Sequence, residues 1–157
     1  MKTFILVVSR AQNLEGKWVP AIEIAKRRLK AKEWAFFSNT RCRKKISIND
    51  EIIVYLSGAP NGMAFVAKAK ISTISDNVKT YIGEGLDILT DIPTSKIELE
   101  SIEWFDTPIP IHSIKDNLEF IPKNNPKWGC VLQGGAREIS KLDRDLIMSL
   151  ITTTIEN

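Results

Sequence analysis

Residues 3–8, Thr-Phe-Ile-Leu-Val-Val, constrain the fold more than any other stretch of this chain. Five apolar residues in unbroken succession after Thr3 give both faces of an extended segment the same character, and the run is too short for a helix. It suits a strand buried on both faces, so the rest of the chain must cover a sheet from two sides. A chain of 157 residues can do so. At this length folding buries roughly two-thirds of the unfolded surface, and neither a disulfide nor a metal staple is needed. Apolar residues at 43% and charged residues at 26% give the balance of a globular domain rather than a disordered or fibrous chain.

The remaining segments predict short strands and two principal helices. After Ser9–Asn13 and Gly16, Trp18-Val-Pro20 opens a helix, with Pro20 in the first turn where its missing N–H is not required. Val19, Ile22 and Leu29, with Ala21 and Ala25, form an apolar stripe that carries this helix to about Ala31. Trp34-Ala-Phe-Phe37 predicts an aromatic strand and Ser38–Lys45 a basic connection. Glu51–Ser57 is the clearest strand, and beyond loop chemistry at Gly58–Gly62 the alternation of Phe65, Ala67, Ala69 and Ile71 predicts its hairpin partner. Residues 73–95 predict a long excursion with one short strand. In 96–105 the apolar phase slips, from Ile97 and Leu99 on one face to Ile102 and Trp104 on the other, which predicts a bulge or a barrel corner. Pro108 and Pro110 end that strand. A helical turn over 111–121 follows with Ile114 and Leu118 inward, then a last strand over 127–132 and a turn at Gln133–Gly135. Ser140 caps a final helix, with Asp143 in its first turn and Leu142, Leu146 and Leu150 as its stripe. The sum is an α+β barrel of five to six strands, built as one domain over 1–157.

Charge is unevenly placed. The total is only +3, yet residues 26–45 hold nine cations against the single acid Glu33, which puts +8 in that window and −5 on the rest. Such a distribution focuses on an anionic ligand. No stretch approaches the roughly 18 consecutive apolar residues of a spanning helix, and the first strand lacks the length and cleavage site of a signal peptide, which predicts a cytoplasmic protein with no membrane partner. Cys42 and Cys130 read as two reduced thiols. One histidine, His112, excludes a pair of histidine ligands, and the chain has no G-x-x-x-x-G-K-[ST], G-x-G-x-x-G, C-x-x-C or H-E-x-x-H motif, so no metal or cofactor is expected. Cys42 has no base near it in sequence, Glu98, Glu100 and Glu103 read as a solvated strand face, and Gly134-Gly135 reads as a turn.

The four tryptophans carry more information. Trp34 stands between the basic helix and the basic connection, and an aromatic face framed by cations is what stacks a base while Lys and Arg hold phosphates. Trp128, alternating with Cys130 and Leu132, is assigned to the core, and Trp104 and Trp18 are weaker platforms. The segments Trp34-Ala-Phe-Phe-Ser-Asn-Thr-Arg-Cys-Arg-Lys-Lys45, Asn49-Asp-Glu-Ile-Ile-Val-Tyr-Leu-Ser-Gly58 and Met63-Ala-Phe-Val-Ala-Lys-Ala-Lys-Ile71 together resemble the EVE domain of the PUA-like superfamily. Asn49-Asp50 stands where Gly-Asp is usual, and Tyr55 fits the strand tyrosine of that pattern. Lys127–Ser140 is similar to the closing strand, turn and capped helix of prokaryotic members.

The resemblance implies a PUA-like pseudo-barrel of mostly antiparallel strands with flanking helices, and a pocket between the first strand, the first helix and the tryptophan strand. EVE domains are similar to YTH domains, in which that pocket is an aromatic cage for a methylated adenine. By that likeness Trp34 corresponds to the first cage tryptophan, Ser9 to Asn13 to the segment that reads the base edge, and Asn39 to an asparagine of the EVE pattern. The second cage tryptophan has no counterpart in 73–92, where only Tyr81 is aromatic, so either Trp104 or Tyr81 would complete the pocket. The expected function is non-catalytic binding of a modified, methylated base in DNA or RNA, with a protein partner supplying any effector activity. Ser9, Asn13, Trp34, Asn39 and Trp104 would form the base pocket, and Arg27, Arg28, Lys30, Arg41, Arg43, Lys44 and Lys45 would hold phosphates. The alternatives are an enzyme similar to ASCH amidohydrolases, with Lys17 or Lys68 as base, or a protein-interaction module. The ASCH Gly-x-Lys-x-x-Glu pattern has no counterpart here. Burial of Trp34 away from any cavity would remove the basis for the pocket.

Overall fold

In the computed structural model, the described residues are 1–37, 40–58, 62–78 and 93–151. In chain order the elements are β1 (Thr3–Val8), β2 (Ala11–Gln12), β3 (Trp18–Val19), α1 (Ala21–Ala31), β4 (Glu33–Phe36), β5 (Glu51–Leu56), β6 (Ala64–Ser75) and β7 (Ser95–Pro110). Three short 3-10 turns follow at Ile111–Ser113, Lys115–Asn117 and Trp128–Leu132, then β8 (Ala136–Ile139) and α2 (Lys141–Ser149).

Six strands form one curled, mixed sheet in the order β4-β7-β6-β5-β1-β8, and β2 and β3 make a separate two-stranded ribbon. The apolar run becomes β1, placed between β5 and β8. It runs parallel to β5, with Thr3 opposite Glu51 and Val8 opposite Leu56, and antiparallel to β8. The other pairings are antiparallel. The period of two then divides its side chains between two cores. Phe4, Leu6 and Val8 join Ile52, Val54 and Leu56 under Ile24, Ala25 and Leu29 of α1, together with Trp34 and Phe36 of β4. On the opposite face Ile5 joins Ile53, Tyr55 and Phe65 beneath Ile111, Ile114, Leu118 and Leu132, with Ile147 of α2. The expectation of a doubly covered strand, and of an α+β half-barrel with two helices, is met.

The phase slip in β7 is a bulge. Leu99 pairs with Ile71 and Glu103 with Lys68, and Ser101 between them takes the left-handed conformation at φ 53°. A second register shift brings Ile109 opposite Phe65 but Trp104 opposite Ala67, so Pro108 lies in an irregular stretch where no ladder N–H is missed. Pro108 therefore does not end the strand, which runs on to Pro110 and stops there.

Other expectations are corrected. Pro20 is the N-cap of α1 rather than a residue of its first turn, and the buried stripe is Ala21, Ile24, Ala25 and Leu29. Residues 128–132 are a 3-10 turn, not a strand. The edge of β1 that a last strand would occupy is taken by β8. In α2, Leu142 is exposed and Leu150 partly so, while Asp143 and Ile147 face inward. Asp143 is turned in by two backbone amides: its carboxylate accepts the N–H groups of Glu119 at 2.7 Å and Phe120 at 3.1 Å. Ser140 caps α2 as expected, accepting the N–H of Asp143.

Candidate functional site

Because β1 and β5 are parallel, their carboxyl ends open side by side, the position at which ligands enter many sheets with parallel strands. The chain leaves β1 at Ser9 and β5 at Ser57, and the two hydroxyl oxygens lie 2.5 Å apart. Two open clefts meet there, of about 690 Å³ and 780 Å³, and Ser9, Ser57 and Gly58 line both.

The first cleft has Tyr55 among its lining and two dissimilar walls. One wall is aromatic. Trp128 leads the 3-10 turn that Leu132 anchors in the core, its ring meets His112 edge to face at 5.5 Å, and Lys115 Nζ stands 5.4 Å from its centre. The other wall is the Gly134–Gly135 turn, with φ of 94° and 83°. Gly135 O accepts the N–H of Val7 and Gly134 O that of Arg41, both at 2.8 Å. A Cβ on Gly134 would stand 2.7 Å from Cγ and Cδ of Arg41, so the turn needs glycine both for its conformation and for the arginine packed on it. Tyr55 is buried, which pushes its phenol up to about 12 and keeps it a neutral donor. None of the described residues lining this cleft is Asp, Glu, Lys or Arg; Arg41 packs on Gly134 behind one wall, and Lys115 stands by Trp128 behind the other, where it also pairs with Asp116 at 3.7 Å.

The second cleft is more apolar in its side chains. Trp18, Pro20, Ala21, Ile22 and Leu56 line it, and the Arg10 guanidinium stacks 4.2 Å from the centre of the Trp18 ring. Trp18 is 55% exposed.

The residues expected from sequence are not gathered here as a set. Ser9 lines both clefts. Trp34 does not line either: it is 2% exposed, packed in the core shared with α1, with the Arg28 guanidinium 4.6 Å from its ring centre. Its proposed role as a stacking platform is corrected by that burial. Asn13 spends its side-chain oxygen within its own turn, accepting the N–H groups of Glu15 and Lys17, and lines neither cleft. Trp104 is 40% exposed on β7 and also lines neither. Asn39 and Tyr81 lie outside the described residues.

The basic window does not converge either. Ala21 and Ile22 of the first turn of α1 reach the second cleft, whereas Arg27, Arg28 and Lys30 lie roughly 9–13 Å further along the axis at 1.5 Å per residue. Arg41 alone packs on a cleft wall. Arg43 and Lys44 line neither cleft, and the carbonyl of Lys45 accepts from Lys2 Nζ at the amino end of β1, roughly 20 Å of strand away. Sequence reasoning misses Trp128, His112 and Tyr55 as residues of the first cleft, and reaches Arg10 only within the Ser9–Asn13 segment. For Trp128 a signal exists: Trp128, Val131 and Leu132 at i, i+3 and i+4 fit one face of a helical turn.

No protein-family model matches the sequence, and no curated protein matches it. Solved structures do. The human THYN1 protein in complex with 5-methylcytosine containing DNA is similar over 96% of this chain and 97% of its own, with TM-score 0.61 and 14% identity. The DUF55 domain of human thymocyte nuclear protein 1 is similar over 94% and 97%, with TM-score 0.60 and 15% identity. ASCH from Zymomonas mobilis is similar over 97% of both chains, with TM-score 0.60 and 12% identity. At such identities the likeness is one of architecture, and what this chain has in common with the human and bacterial proteins is the fold.

Proposed function

We propose that the protein binds nucleic acid by admitting a base that has left its stack into the first cleft. The observation that carries this is the separation of chemistries there: a neutral, hydroxyl- and glycine-lined slot beside Trp128 and His112, with Arg41 and Lys115 behind its walls. A base stacked on Trp128 contributes roughly 1–3 kcal/mol. A methyl group buried in the slot adds on the order of 0.8 kcal/mol, which is the basis for preferring a modified base. The hydroxyls of Ser9, Ser57 and Tyr55 and the backbone of the glycine turn supply edge contacts. The solved complex of the human THYN1 protein with 5-methylcytosine containing DNA, on the same fold, supports this choice of ligand.

The test is fluorescence anisotropy with short DNA and RNA oligonucleotides, each with and without a single methylated base, across salt. Binding that favours the methylated strand, weakens with salt by about one or two phosphate charges, and is lost in Trp128→Ala supports the proposal. No binding at low salt refutes it and leaves a protein partner as the occupant. Because ASCH proteins share the fold, acetylated cytidine is included in the panel, and its turnover would show an enzyme instead. The bases first suggested for such chemistry, Lys17 and Lys68, pair with Glu15 at 3.7 Å and Glu103 at 3.6 Å and line neither cleft.

A further inference from the structure

The geometry points to a ligand of two adjoining, mutually unstacked nucleotides, one base in each cleft, and hence to a single strand rather than a duplex. This extends, and rests on, the use of the first cleft as a base site. The two clefts adjoin: Ser9, Ser57 and Gly58 are the described residues that line both. The seam is therefore a pair of serine hydroxyls 2.5 Å apart beside a glycine. A Cβ on Gly58 would meet nothing within 4 Å, whereas one on Gly62 would stand 2.0 Å from Gly58 O and 2.7 Å from Ser57 O, so the chain folds closely back beside the seam and leaves the Gly58 Cα side open. One serine donates to the other, so a sugar–phosphate link crossing there finds the one remaining hydroxyl donor of the pair, and Arg10, next in the chain after Ser9, lines the second cleft beside it.

The second cleft has its own stacking surface. An exposed indole carrying a guanidinium at 4.2 Å is a flat ledge that is both aromatic and cationic, the combination that holds bases of a single strand without reading their identity. Pro20, Ala21, Ile22 and Leu56 close its apolar side. In a duplex the neighbour of an extruded base stays stacked on the helix and does not reach this ledge. Filling both clefts breaks two pairs and their stacking, a cost that a single strand does not bear.

The experiment uses the full chain with four probes carrying the same methylated base: a mononucleotide, a dinucleotide, a single-stranded 12-mer and its duplex, in deoxy and ribo forms. The inference expects the dinucleotide to bind roughly tenfold more tightly than the mononucleotide, and the single strand more tightly than the duplex. Trp18→Ala, at an exposed position, should bring the dinucleotide-to-mononucleotide ratio near one, and Trp18→Phe should keep most of it. If Trp18→Ala leaves that ratio in place, or the duplex binds as tightly as the single strand, the inference is overturned while the base site stands. If neither mononucleotide nor single strand binds, or Trp128→Ala weakens none of them, the base site itself fails and the inference falls with it.

Discussion

Replacing Trp34 separates a core residue from a ligand platform. Its ring is 2% exposed and sits between the β-sheet and α1 under Arg28. A tryptophan buries up to about 250 Å² of surface, worth about 6 kcal/mol at 25 cal/mol per Å² as an upper bound. Measured truncations of buried Phe and Trp to Ala cost about 3–5 kcal/mol. Domains of this size have about 5–15 kcal/mol in total, so Trp34→Ala should remove about a fifth or more of the stability. With a urea m-value of about 2 kcal/mol/M, the unfolding midpoint should fall by about 2 M with the slope unchanged. Trp34→Phe keeps a ring beneath Arg28 and should lose only about 1–2 kcal/mol. The folded Phe variant should then bind oligonucleotides as the parent does. The reasoning is refuted if Trp34→Ala unfolds within about 1 kcal/mol of the parent while losing nucleic-acid affinity, because the indole would then be facing ligand rather than core.

Three further outcomes follow from the packing. Asp143→Ala strips the acceptors from the amides of Glu119 and Phe120 and the tie between α2 and the segment preceding Trp128, and should cost about 2–4 kcal/mol in urea unfolding. Arg144→Ala leaves Glu51, which is 5% exposed, without the guanidinium that holds it at 2.8 Å and 3.2 Å, and should cost about 3 kcal/mol; Glu51→Leu combined with Arg144→Met should recover most of that loss. Burial raises the Tyr55 pKa from 10.0 to about 12, so the unfolded chain loses that proton first and stability falls as pH rises through this window. The fall attributable to Tyr55 is at most about 3 kcal/mol, and equilibrium unfolding at pH 9 and pH 11 should show a smaller drop for Tyr55→Phe.

What is legible in the sequence is decided by period and burial. The strands β1 and β5 stand out because their runs are apolar at nearly every position, and the bulge in β7 because a broken alternation has few other causes. The 128–132 turn reads as a strand because Trp128, Cys130 and Leu132 fit a period of two while Trp128, Val131 and Leu132 fit a helical turn, and five residues do not separate the two. The stripe of α2 is misassigned because Asp143 takes an inward place for the sake of two amides far away in sequence. Trp34 reads as a platform for a related reason. Cations adjacent in sequence look like a phosphate frame, but Arg28 lies one side of the tryptophan as its cover, and the rest of the window spreads from the end of α1 to the amino end of β1. The clefts themselves arise from the parallel pairing of β1 with β5, which no local pattern announces.

That pairing also has a consequence in time. Thr3 lies opposite Glu51 on one side and opposite Ile139 on the other, so β1 completes its ladder only after the chain has been made through Ile139. Until then an apolar strand carries an open edge, the form most prone to pair with another molecule. Contacts of such long sequence separation slow folding, and β8 should close last. In pulsed hydrogen exchange during refolding, the β1 amides bonded to β8 should gain protection after those of the β5–β6 hairpin; simultaneous protection would show that the sheet closes in one step. The same strand that positions the clefts therefore sets the slowest step in making them.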